Sequence, residues 1–247
     1  MNTQPIQQLA DLILQSRRAV FFGGAGVSTE SGIPDFRSDQ GLYREKSRIP
    51  PEEIISHSFF LKHPDLFYDF YKHKMVYPQA VPNPAHRALA RLEEMGKLTA
   101  VITQNIDGLH QAAGSRNVLE LHGSVHRNSC MRCHKSYPLS AVLESPGAPR
   151  CGCGGLIKPD VVLYEEALDS HITNQAVRAI GQSDLLIIGG TSLTVYPAAS
   201  FVSLCSGKIA IINKSATMMD RAADVLIAQP IGEAFSAVMA VIEGKAL

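Results

Sequence analysis

The chain predicts an α/β fold: a doubly wound, mostly parallel, Rossmann-like sheet from which two smaller modules are inserted. Three observations lead there. Short apolar runs alternate with helical patterns through most of the 247 residues, as in a sheet covered by helices on both faces. The first run, Ala19-Val20-Phe21-Phe22, opens into the glycine-rich stretch Gly24-Ala25-Gly26-Val27-Ser28. Four of the five cysteines fall as two close pairs inside one interruption of the alternation.

Each element follows from its residues. Thr3 or Gln4 precedes a helix over 5–16, with Pro5 in its first turn and Ile6, Leu9, Leu12 and Ile13 on one face. A strand over 19–23 leads through the glycines into a polar helix start. Such a turn brings backbone N–H groups close to a diphosphate, and a helix N-terminus there favours negative charge. Asn83 is an N-cap with Pro84 at the first helical position, so a helix spans 84–95 and stops at Gly96. Strands at 98–103 and 117–121 come next. A helix over 171–181 precedes a strand over 184–189, a helical stretch over 197–205 precedes strands at 208–213 and 224–228, and a helix over 232–243 ends the series.

Two stretches break the alternation. Residues 39–82 carry scattered aromatics, prolines and histidines and read as an inserted helical module. Residues 126–158 carry the paired cysteines. The large domain is then 1–38, 83–125 and 159–247, and a ligand belongs in the crevice at the carboxyl ends of its strands.

Lys plus Arg and Asp plus Glu both number 23, giving no net charge. Bulk attraction to nucleic acid or to a membrane surface is therefore not expected. No run of apolar residues is long enough to span a bilayer. Met1-Asn2-Thr3-Gln4-Pro5 lacks the basic and apolar regions of a secretory signal. A cytoplasmic monomer is the expectation. In that reducing setting Cys130/Cys133 and Cys151/Cys153 read as a structural zinc site rather than two disulfides. Four thiolates leave no open position on the metal, so a zinc ribbon, not a catalytic centre, is implied. The second pair has the tight Cys-x-Cys spacing, which Gly152, Gly154 and Gly155 would accommodate, and His134 is an alternative ligand. Cys205, alone in an apolar stretch, reads as a buried core thiol.

At the tip of the second strand, Gln104-Asn105-Ile106-Asp107 offers amide and carboxylate groups able to hold a carboxamide. Asp107 alone could equally cap the next turn. Among nine histidines only His122 lies in a Leu-His-Gly context at a strand end facing the crevice, and imidazole suits a general base near neutral pH. His86, His110 and His126 are the competitors, with His110 on the helix after Asp107.

The segments Gly24–Arg37 (Gly-Ala-Gly-Val-Ser to Ile-Pro-Asp-Phe-Arg), Thr103-Gln104-Asn105-Ile106-Asp107-Gly108, Leu119-Glu120-Leu121-His122-Gly123, the cysteine pairs and Gly190-Thr191-Ser192-Leu193 come in one order. Taken together, from about Leu12 to about Phe235, the chain resembles the sirtuin family of NAD-dependent protein-lysine deacylases. The resemblance implies NAD contacts from Gly24, Ala25, Gly26, Thr29, Phe36 and Arg37 around the diphosphate and reacting ribose. It implies a nicotinamide pocket at Gln104, Asn105, Ile106 and Asp107. Gly190, Thr191, Ser192, Asn213, Lys214 and Ile227 are implied around the adenosine. His122 becomes the base that draws a proton from the ribose hydroxyls. The acyl group of acyl-lysine passes to ADP-ribose, releasing nicotinamide, free lysine and O-acetyl-ADP-ribose, with NAD consumed.

By the same resemblance Val162, Leu163 and Tyr164 pair with an extended acyl-lysine peptide. The sirtuin pattern commonly has glycine where Glu165 stands. Tyr71 falls where family members that remove acidic acyl groups carry a tyrosine, but Lys74 replaces their arginine, which favours acetyl and other uncharged groups. A mono-ADP-ribosyltransferase and a non-catalytic NAD or ADP-ribose sensor are the alternatives.

Overall fold

The computed structural model describes residues 3–35 and 49–245. Helix α1 (Gln4–Gln15) carries Pro5 in its first turn and buries Ile6, Leu9 and Ile13. Strand β1 (Ala19–Gly23) follows, buried along its whole length. The glycine loop then curls into two short 3-10 turns, Ala25–Val27 and Thr29–Ser31, at the polar helix start that the sequence predicts. Gly26 N–H donates to the Gly190 carbonyl, and Gly32 turns at a φ of +83°, so backbone bonds to a neighbouring loop replace an α-helical ladder.

Helices α2 (Pro51–Ile54), α3 (His57–Lys62) and α4 (Pro64–Lys74) occupy the described part of the predicted helical module. Helix α5 (Pro84–Glu94) begins as its sequence predicts: Asn83 Oδ1 accepts from the Ala85 and His86 amides, while His86 Nδ1 accepts the Asn83 amide. Strand β2 (Ala100–Thr103), the short helix α6 (Leu109–Ala112) carrying His110, and β3 (Val118–Glu120) come next. The chain then leaves the large sheet through β4 (Gly123–Cys130), β5 (Ser136–Tyr137), α7 (Leu139–Leu143) and β6 (Ile157–Val161). It returns as α8 (Ser170–Gly181), β7 (Leu185–Gly189), β8 (Lys208–Ile212), β9 (Val225–Ile227) and α9 (Ile231–Ile242). The stretch predicted helical at 197–205 is a 3-10 helix, Ala198–Leu204. Ser200 and Ser203 hydroxyls donate to the Pro197 and Ser200 carbonyls and so compete with an α ladder.

Among the described residues, β3-β2-β1-β7-β8-β9 form one parallel sheet in that order. Phe21 faces α1, α5 and α9, and Val20 and Phe22 face α8 and the 3-10 helix. Burial on both faces is why these strands read as continuous apolar runs rather than alternating ones. Strand order reverses between β1 and β7, which opens a crevice at their carboxyl ends.

A second, antiparallel sheet has the order β5-β4-β6. Helices α3 and α4 pack on it through Phe59, Phe60, Phe67, Tyr68 and Tyr71, alongside Cys130, Cys151, Val161 and Leu163. The two insertions thus share one core. Cys205 is half-buried at the edge of the α8 core, with its sulfur 3.5 Å from Ser183 Oγ. It is not the enclosed thiol that its apolar neighbours suggest, because the turn into β8 leaves one side open to solvent. No described helix is long and apolar enough to cross a membrane.

Candidate active site

A crevice of about 480 Å³ lies between the β1/β7 switch point and the small sheet. Its walls include Gly24, Ala25, Gly26, Gln104, Asn105, Ile106, Asp107, His122, Val162, Leu163, Tyr164, Gly190, Thr191, Ser192 and Asn213, all candidate residues from the sequence. Residues that follow six separate strands, β1, β2, β3, β6, β7 and β8, therefore converge on one space.

The glycines bring two loops into contact. A Cβ on Gly26 would lie 2.8 Å from Gly190 Cα, and one on Gly190 would lie 2.3 Å from the Val27 nitrogen. Gly190 also has a φ of +57°. Only glycine tolerates both the conformation and the approach. Asn213 Nδ2 then donates to the Thr191 and Ser215 carbonyls, and Gln104 Nε2 donates to Thr191 Oγ1 at 3.2 Å.

Asn105 and Asp107 are joined by a residue that the sequence reading passes over. Ser28 is buried; its hydroxyl donates to Asp107 Oδ2 at 2.7 Å and accepts from Asn105 Nδ2 at 3.0 Å. Asp107 Oδ1 accepts the Leu109 amide, so the carboxylate caps α6 and also anchors the polar chain. A serine after glycines resembles a cap in sequence, and only the fold brings it across to β2. Ile33, Pro34, Asp35, Val195 and Tyr196 also line the crevice without having been singled out.

His122 stands where the chain passes from one sheet to the other. Gly123 follows it at a φ of +75°, and a Cβ there would fall 1.8 Å from the Asp160 carbonyl oxygen. The Leu-His-Gly context is thus a packing requirement as much as a chemical one. His122 Nδ1 lies 3.0 Å from the Gln104 carbonyl. A carbonyl only accepts, so Nδ1 carries the proton and Nε2 of the neutral ring keeps its lone pair. Burial pushes the His122 pKa below the usual histidine value, with the Gln104 bond acting the other way. The ring is therefore neutral at pH 7, the form a base requires.

The peptide-side candidates sit one hydrogen bond away. Val162 N–H donates to the His122 carbonyl at 3.0 Å, Leu163 is buried beneath and Tyr164 is exposed. Four other candidates stand outside the described crevice lining. Thr29 Oγ1 donates to the Gly26 carbonyl, bracing the loop. Lys214 is exposed beyond Asn213. Ile227 ends β9, but its side chain is buried in the core on the α1/α9 face of the sheet and not in the crevice. Tyr71 is enclosed among Phe67 and Tyr68 in the small core, though Lys74 of the same helix reaches the crevice. Phe36 and Arg37 lie outside the described residues.

In the ribbon, the Sγ atoms of Cys130, Cys133, Cys151 and Cys153 all lie within 4.8 Å of one another. Cys130–Cys153 and Cys133–Cys151 are 3.6 and 3.5 Å apart. That is too long for disulfides. It is close to the edge of a thiolate tetrahedron about 3.8 Å on a side, the size set by a 2.3 Å metal–sulfur bond. Gly154 turns at a φ of +84°, and a Cβ on Gly155 would press on Cys130 Sγ at 2.7 Å. These glycines make the Cys-x-Cys turn possible. His134 is exposed and is not one of this group.

A family model described as the Sir2 family matches residues 24–197. A Clostridium perfringens protein named NAD-dependent protein deacetylase is 56% identical over 95% of this chain and 98% of its own length. One of the same name from Cutibacterium acnes is 55% identical over 94% and 96%. Among solved structures, one described under the mechanism and regulation of Sir2 enzymes is 40% identical with a TM-score of 0.89, covering 98% of this chain and 99% of that one. Another, a Sir2 variant with a deacetylated p53 peptide and 3′-O-acetyl ADP ribose, also gives 40% and 0.89, over 97% and 98%.

Proposed function

The chain belongs to the Sir2 family, and from that premise we infer that it is an NAD-dependent protein deacetylase. NAD is consumed: the acetyl group of acetyl-lysine passes to ADP-ribose, and nicotinamide, free lysine and O-acetyl-ADP-ribose leave. The observation that carries the residue assignment is His122, neutral, with Nδ1 pinned to the Gln104 carbonyl and the ring lining the crevice.

In this reading the adjoining loops at Gly24–Gly26 and Gly190–Ser192 hold the diphosphate and adenosine side of NAD, with Asn213 bracing Thr191. The Asn105–Ser28–Asp107 chain offers a fixed donor and acceptor set to the nicotinamide carboxamide. His122 Nε2 takes the proton from a ribose hydroxyl, which lets that oxygen attack the acyl carbon. Lysine-bearing peptides lie along Val162–Tyr164 by strand addition, which reads backbone and tolerates many sequences. Phe36, Arg37, Thr29, Lys214 and Ile227 remain candidates from the family pattern alone.

The four cysteines fit zinc by donor type and by spacing. Zinc would hold the ribbon together and supply no step of the reaction. We further propose acetyl and other uncharged acyl groups as the preferred substrates, a monomer in solution, and a cytoplasmic setting.

The test follows an acetyl-lysine peptide by mass spectrometry, with and without NAD, for the wild type and His122→Ala. Deacetylation only with NAD, formation of O-acetyl-ADP-ribose and loss of turnover in the variant are expected. ADP-ribose appearing on protein instead would favour the transferase reading. Undiminished turnover by His122→Ala would remove the base assignment.

A further inference from the structure

Glu165 adopts a φ of +75°, in the left-handed region. For a residue with a Cβ that conformation is strained relative to glycine. Its carboxylate provides the compensating contact. Oε2 accepts the Ser58 backbone N–H at 2.8 Å and Oε1 accepts the Ser58 hydroxyl at 3.0 Å. Ser58 lies in the first turn of α3, where backbone N–H groups have no helical partner.

The flanking residues are tied to the same place. Tyr164 N–H donates to the Ile55 carbonyl, and the His57 N–H donates to the Tyr164 carbonyl. Glu166 bonds His57 Nδ1 at 2.7 Å, Lys158 Nζ at 3.0 Å and the Leu163 amide at 2.8 Å. One side of the segment is thus fastened to α3, and Val162 and Tyr164 line the crevice.

We propose that Glu165 is a positioning residue for the peptide: its grip on Ser58 latches the Val162–Glu166 segment so that the strand-pairing edge is set before the peptide arrives. This rests on the deacetylase reading of the crevice and adds a residue that governs only its peptide side. The NAD-side residues Gly26, Thr191 and Asn213 stand on strand ends of the other sheet and make no hydrogen bond to Glu165. A glycine at 165 would keep the turn without strain and lose the latch; glutamine would keep one acceptor oxygen.

The experiment is steady-state kinetics with acetyl-lysine peptide and NAD varied separately, on the wild type, Glu165→Gly, Glu165→Gln and Ser58→Ala. Peptide affinity is read in parallel by fluorescence anisotropy. Glu165→Gly should raise the peptide KM and Kd about tenfold, with kcat and the NAD KM moving less than about twofold. Glu165→Gln should return to within about threefold of wild type, and Ser58→Ala should fall between them. A wild-type peptide KM in Glu165→Gly, or an equal rise in the NAD KM, overturns the latch alone. A wild type that neither binds nor deacetylates the peptide overturns the functional reading, and the latch falls with it.

Discussion

Of the histidines that compete with His122, two are enclosed in the protein. His86 and His110 are buried with ring centroids 4.7 Å apart, and His86 Nε2 and both His110 ring nitrogens have no hydrogen-bond partner among the described residues. Burial pushes His86 down to about 4 and His110 to about 3. Both are neutral in the folded protein through the mildly acidic range, while their unfolded counterparts take protons below about 6.5. Stability from the pair is therefore complete above about pH 6.5 and is lost as pH falls from there, down to about 4 for His86 and about 3 for His110. At pH 5 each imidazole should have withdrawn about 2 kcal/mol. Urea midpoints at pH 7.5 and pH 5 measure this, and the fall for the wild type should exceed that for His110→Leu by about one such increment. Equal falls would mean that His110 does not titrate across unfolding as its burial requires. His122 differs from both in lining the crevice, with Nδ1 satisfied by the Gln104 carbonyl and Nε2 not enclosed, which is a distinction of position, not of residue type.

At the scale of elements, the switch between β1 and β7 depends on two glycines from opposite ends of the sequence touching. Gly26→Ala would place a methyl 2.8 Å from the Gly190 Cα and carbonyl oxygen, backbone atoms that cannot rotate aside. The loops must part, and the NAD KM should rise about tenfold or more as their groups lose register. Gly181→Ala, at the end of α8 with nothing within 4 Å, should leave kinetics unchanged and stability equal or slightly higher. Kinetics and thermal midpoints of both variants check the contrast; similar losses in the two would deny the contact its role. Much of this architecture was legible in sequence. Runs such as Leu185–Ile188 declare buried parallel strands, and Asn83-Pro84 declares a helix start. What was not legible depends on long-range contact. The glycine loop becomes 3-10 turns because Gly190 accepts its amide, and Ser28 matters because Asn105 and Asp107 lie across from it. Tyr71 turns into the small core because the ribbon folds over α4, a packing that no local pattern announces.

The whole molecule is a large sheet with a core on each face and a small module with a core of its own, meeting at the crevice. The two halves contribute different things. NAD-side candidates hang on the parallel strands, whereas Val161 and Leu163, which flank Val162, belong to the same core as Cys130 and Cys151. A structural zinc site contributes about 10 kcal/mol or more to the folding of what it holds. Stripping zinc from the loaded protein with a chelator should therefore loosen the ribbon and the Val162–Tyr164 segment together, and with them the bond from Val162 N–H to the His122 carbonyl. The six parallel strands have no cysteine ligand among them and should stay folded. Calorimetry with ADP-ribose should find affinity within about threefold of the loaded protein. Acetyl-lysine peptide binding and deacetylation should be lost, then return on adding zinc. Loss of ADP-ribose affinity alongside would mean that the two halves fold as one unit; full deacetylation without metal would mean that the thiols hold the ribbon unaided. The expected split places the metal in the peptide half of the reaction while keeping it out of the chemistry.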